Sequence, residues 1–205
     1  MKQLGKWAWP VVFGSLWGFL EVIGGEAFFK RSIPLPSAWL TAWGLLMLAT
    51  SRGIIPKAGS STLAGATAAL FKLVNAPPFY CHLLAIVCVG LLFDAAASLI
   101  AADKLDRRRG AVIGMVGAYG GHIAFAVLIT YVFRYEFWVA EGLPRILRYV
   151  VLNGSLAAVL AAVLVPLGFR LGQKAEPAMK RKPRWATAGA LAAVAVSWML
   201  GRFVG

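Results

Sequence analysis

GSLWGFLEVIGGEAFFKR, residues 14–31, governs how the rest of the chain is read. It begins as an apolar helix of membrane grade. It then takes on two carboxylates, Glu21 and Glu26, before a basic end at Lys30 and Arg31. A carboxylate inside a membrane span costs a few kcal/mol, so it faces a cavity or an ion partner.

The composition makes a membrane the setting. Hydrophobic residues are 60% of the 205, and the mean hydropathy is +0.75. Soluble domains average about 45–50% even when Gly is included. The chain is therefore read as an integral membrane protein, and its 22 Gly and 8 Trp fit, since small residues pack membrane helices and Trp sits at interfaces. The net charge of +13 sits in short loops on one side and reads as a topology signal, not as nucleic-acid binding. Cys81 and Cys88 lie about 10 Å apart along a helix, too far for a disulfide.

Seven candidate spans follow from runs of apolar residues: 7–28, 36–50, 60–75, 81–101, 110–133, 147–170 and 185–204. The second and third are short for a full crossing of about 20 residues. The N-terminus has the basic start and apolar run of a signal peptide. More membrane segments follow it, so it is read as a retained first span. Lys and Arg concentrate on the side that holds the N-terminus, above all in KLDRRRG and KRKPR, which places the N-terminus inside. Those clusters also suit anionic lipid headgroups or a cytoplasmic partner. The fold expected is an all-α integral membrane protein, a bundle of about six to seven transmembrane helices. Residues 1–170 form a six-helix core, 171–184 a basic cytoplasmic linker, and 185–204 an additional C-terminal helix. The location expected is multi-pass in the cell (inner) membrane.

Depth sorts the polar residues. At about 1.5 Å per residue from the inner helix ends, Glu21, Lys72, His122 and Asn153 lie about 18–25 Å up, in the outer half of the bilayer. Glu26, Asn75 and His82 lie higher still. Two readings stand side by side. In one, Glu21, Glu26, Lys72, Asn75, Tyr119, His122 and Asn153 line an outward-opening polar pocket. In the other, Glu21 and Lys72 form a structural bridge, and the remaining groups reach for the interface. Gly24-Gly25 are expected to break the first helix, so that 24–35 folds over the pocket, stiffened by IPLP at 33–36. Asp94 lies in the inner half, and its expected partners are Ser98, Tyr119 or another subunit. No G-x-S-x-G, H-E-x-x-H or Walker A motif is present. The histidines and cysteines lack zinc spacing, so neither enzyme activity nor a metal or cofactor is expected.

The pattern resembles the S components of energy-coupling factor (ECF) transporters. The residues that carry it are Gly14-Ser15-Leu16-Trp17-Gly18, similar to that family's Ala-xxx-Ala step, the order SRGIIPKAGSS then STLAGATAALFKLVNAP, and the polar pocket after helix one. The chain departs from the family pattern in Gly for Ala and in a seventh span. The resemblance covers roughly residues 5–170. It implies capture of a small vitamin-like solute from outside, Gly14 and Gly18 as a docking step for a transmembrane T component, and two cytoplasmic ATPases. Lys72 and the basic outer rim suit a carboxylate-bearing ligand, and the absence of a Met-His metal signature favours an organic one. The alternatives are a structural subunit of a larger membrane complex and a small cofactor-binding membrane enzyme.

Overall fold

The structure is a computed structural model that describes residues 7–75, 79–100, 106–181 and 183–204. The side chains of Glu26, Phe29, Asn75 and several residues between 178 and 186 lie outside the description. Among the described residues there is no strand. The helices are α1 (Ala8–Lys30), α2 (Pro36–Ile54), α3 (Ser60–Asn75), α4 (Tyr80–Ile100) and α5 (Arg107–Val127). Two short helices follow, α6 (Glu136–Glu141) and α7 (Leu143–Tyr149), then α8 (Ser155–Arg181) and α9 (Pro183–Val204). A π-helical turn at 128–132 extends α5, and another at 150–154 joins α7 to α8.

Four stretches are long and apolar enough to cross a bilayer: 8–25, 80–100, 107–132 and 143–177. The chain is thus a multi-pass helical membrane protein. The other three expected spans, α2, α3 and α9, are helical but fall short of that length or apolarity.

Packing closes the first six long helices into a ring in the order α1, α3, α4, α5, α8, α2 and back to α1. Helix α9 lies outside the ring, chiefly against α1. There Trp198 donates to Ser15 Oγ (2.9 Å), and its ring meets Phe71 edge-on. Trp17, Leu45, Leu48, Phe93 and Ile113 belong to the buried cluster at the ring's centre. Lipid tails are as apolar as these side chains, so close contact between helices has to provide the cohesion. Small residues allow it. A Cβ built on Gly14 would lie 2.3 Å from Ala64 O of α3, and one on Gly18 would lie 2.6 Å from Phe71 Cβ. On the other side of the ring, a Cβ on Gly172 of α8 would lie 2.3 Å from Thr50 O of α2.

Three local expectations are corrected. Helix α1 runs unbroken through Gly24-Gly25 to Lys30, so the segment over the pocket is not 24–35. Glycine costs a helix only about 1 kcal/mol, which tertiary packing overrides. Residues 171–181, expected as linker, continue α8 as helix. Asp94 is bonded to neither Ser98 nor Tyr119. Its Oδ1 accepts from Arg52 Nη1 at 2.9 Å, and its Oδ2 accepts from Thr62 Oγ1 and the Gly59 amide. Arg52 also donates to Ser98 Oγ and the Lys57 carbonyl. This knot ties the 55–59 turn to α4 at the end of the bundle where α2 stops.

Candidate functional site

A cavity of about 610 Å³ occupies the end of the ring where α1 finishes and α2 begins. Pro36 opens α2 at its first turn, where a missing N–H costs nothing. Leu35, on the cavity wall, is held at φ +53° just before it. A bulky side chain rarely adopts that conformation, and it turns the chain sharply from α1 into the wall.

From α1, Glu21 enters the cavity, with Trp17 Nε1 donating to its Oε1 (3.2 Å). From α3, Lys72 Nζ donates to the other oxygen, Oε2, at 2.9 Å. Both side chains are largely shielded, 11% and 14% exposed, so the pair is worth more than a surface bridge. From α2 come Ser37 and Thr41, four apart and so on one face. Ser37 Oγ donates to Asn153 Oδ1 (2.6 Å), and Asn153 Nδ2 donates to Tyr149 O (3.3 Å).

From α5, His122 lines the wall and is 2% exposed. Its Nδ1 lies 2.8 Å from Ala118 O, and its Nε2 is buried without a partner. His82 of α4 faces the same cavity. Its ring lies 4.9 Å from Phe125, which lies 5.4 Å from Tyr149, which lies 5.4 Å from His122. Trp138 completes the aromatic wall, edge-on to Phe125 and Tyr149 at 5.6 and 5.2 Å.

Helices α6 and α7 contribute Trp138 and Arg145 to the cavity wall. Arg145 is bonded to Glu141, and its guanidinium sits 3.8 Å over the Phe137 ring. Gly142, between the two helices, has φ +57°, which glycine adopts without a Cβ clash.

Of the seven site residues expected, Glu21, Lys72, His122 and Asn153 converge on the cavity. The Glu26 and Asn75 side chains lie outside the described residues. Tyr119 is not on the wall. It is 37% exposed and hydrogen-bonds Ser155 Oγ (2.9 Å). Gly14 and Gly18 face α3 within the chain, so this step is no free docking surface. His82, expected at the interface, lines the same cavity as His122.

Sequence reasoning missed Arg145, Trp138 and Tyr149. They lie in RYEFWVAEGLPRILRY, residues 134–149, which is dense in aromatics and arginines, and that density is the available signal. No group of three or more His, Cys, Asp or Glu among the described residues could hold a metal. The arrangement suits reversible binding of a small solute: aromatic walls and a few polar groups. No family model, curated protein or solved structure matches the chain.

Proposed function

We propose that the chain is the membrane-embedded substrate-binding subunit of an ECF-type importer, which captures a small vitamin-like solute from outside. One observation carries the proposal. A cavity of about 610 Å³, within the range of small-molecule sites, gathers Glu21, Lys72, His122 and Asn153 at one end of a membrane bundle. An ionisable group at membrane depth is a functional-site candidate by default. The basic loops put the N-terminus inside, and the cavity then opens to the outside of the cell (inner) membrane. The resemblance of helix one, the SRGIIPKAGSS turn and the pocket to ECF S components supports the same reading.

In this reading the chain is not an enzyme and needs no cofactor. Uptake is driven by a transmembrane T component and cytoplasmic ATPases on other chains. The docking surface has to be sought away from Gly14 and Gly18, whose face is covered by α3.

The test is purification of the tagged chain from native membranes in mild detergent, with mass spectrometry of whatever accompanies it. A T-like membrane protein with two ATPases is the expected result. Their reproducible absence, with other membrane subunits in their place, would overturn the importer reading in favour of a structural subunit.

A further inference from the structure

Resting on the capture reading above, we infer that Arg145 is the anion anchor of the cavity, and that the solute it holds is a flat aromatic carboxylate. The sequence pointed to Lys72 for that role. Three observations move it to Arg145.

The first is the balance of charge. Among the described residues of the wall, the acids and bases other than histidine are Glu21, Lys72 and Arg145. Glu21 and Lys72 cancel each other at 2.9 Å, and both are largely shielded from water. A second carboxylate on Lys72 would sit beside Glu21 with little water to screen the repulsion. Arg145 is the surplus cation. Its partner Glu141 is not on the cavity wall, and that side chain is 36% exposed. Water screens Glu141, so the bridge is of the weak surface kind, and a second carboxylate on Arg145 meets little repulsion from it.

The second is the state of the guanidinium. Nη1 donates to Glu141 Oε1, and Nη2 has no partner among the described residues. Cζ lies 3.8 Å over the Phe137 ring, a contact that holds the head group without using an N–H donor. The side chain is 24% exposed and lines the cavity, so a ligand reaches it more readily than it reaches Lys72. Arg stays charged at any physiological pH, and its fork of donors matches a carboxylate.

The third is what surrounds it. Cζ lies 4.9 Å from the centre of the Trp138 ring. Trp138 in turn lies 5.2 Å from Tyr149 and 5.6 Å from Phe125, and all three rings line the cavity. A carboxylate held on the guanidinium at about 2.7–2.9 Å brings an attached ring up to this group. Aromatic neighbours that stand edge-on to one another offer faces and edges to a planar body.

The probes are quinaldate, an aromatic carboxylate, quinaldamide, its uncharged counterpart, and cyclohexanecarboxylate, an acid without a flat ring. Each is titrated calorimetrically into the purified full chain in detergent. Quinaldate is expected to bind about 10-fold or more tightly than quinaldamide, as a charged hydrogen bond exceeds a neutral one. It is also expected to bind more tightly than cyclohexanecarboxylate. Arg145→Gln is expected to bring quinaldate down to the level of quinaldamide and to leave quinaldamide unchanged. Glu141→Gln, which removes the competing carboxylate, is expected to tighten quinaldate. A bridge with only a structural role would instead make both variants lose affinity for all three probes. Should Arg145→Gln fail to fold, Glu141→Gln and the comparison of probes on the unaltered chain decide. Equal binding of quinaldate and quinaldamide, equal binding of the two acids, no binding of quinaldate, quinaldate affinity unchanged by Arg145→Gln, or weaker quinaldate binding in Glu141→Gln overturns the inference.

Native mass spectrometry of the purified assembly separates this failure from that of the capture reading. A cationic or uncharged solute found with the chain, its T component and its ATPases overturns the anion anchor and leaves capture standing. Arg145-dependent binding of quinaldate by a chain that brings no T component and no ATPases overturns the importer and leaves the anchor standing.

Discussion

Lys72 of α3 and Glu21 of α1 meet at 2.9 Å, and Trp17 holds the other carboxylate oxygen of Glu21. The pair both staples two helices of the ring and forms part of the cavity wall. Removing one member leaves the other shielded and unpaired. Lys72→Ala or Glu21→Ala should cost about 3 kcal/mol. Changing both residues to Ala should cost less than the two single changes added together. Thermal unfolding of the four proteins in detergent measures this, and strict additivity would show that the pair is not coupled.

The Arg52–Asp94 knot makes a sharper prediction, because Asp94 serves three donors from α2, the 55–59 turn and α3. Asp94→Asn should lower stability by about 3–5 kcal/mol, the range for a buried pair stripped of one partner. It should also open the turn to protease before the helices unfold. A variant as stable and as protease-resistant as the parent would remove the knot from any structural role.

Gly14 and Gly18 allow a test of packing against docking. With Ala64 O 2.3 Å from a Cβ at position 14, Gly14→Ala should cost about 1–3 kcal/mol through overpacking. Gly18→Ala should behave alike. An unaltered melting temperature with loss of co-purifying partners would instead mean that this face meets another protein.

Tyr119 and His122 should separate cleanly. Tyr119→Phe removes one hydrogen bond, to Ser155, at a partly exposed site. It should cost about 1 kcal/mol or less in thermal unfolding, whereas His122→Ala, which empties a 2% exposed site, should cost about 3 kcal/mol. Equal losses would show that the two sites do not differ in burial.

Orientation is tested in a background without Cys81 and Cys88. Ser32→Cys lies in the exposed turn between α1 and α2, and Lys57→Cys in the exposed turn between α2 and α3. With the N-terminus inside, a membrane-impermeant maleimide should label the first in intact cells and the second only after lysis. The reverse pattern would invert the topology and turn the cavity inward.

Some of this was legible in the sequence, because depth along a helix follows from counting residues. Glu21 and Lys72 could be paired because both counts reached the same level. Rotation was not legible. Tyr119 and His122 are three apart, about 60° around the helix, which is enough to send one to Ser155 and the other into the cavity. Arg52 was overlooked as a partner for Asp94 because the apolar run of α2 ends before it, whereas the helix continues to Ile54. The contribution of α6 and α7 was illegible for a different reason. A helix of six residues has no periodicity to detect, and Arg145 hid that the stretch running to 177 starts at 143 and not at 147.

The two ion pairs also set a schedule for synthesis. Glu21 precedes Lys72 by 51 positions, and Arg52 precedes Asp94 by 42. In each pair the ribosome delivers a lone charge to the insertion machinery long before its counterpart exists. Helices α1 and α2 therefore each carry an unneutralised charge until α3 and α4 emerge. A stall between those helices would strand the nascent chain with one unneutralised charge in each of its first two segments, the state that membrane quality control is built to detect.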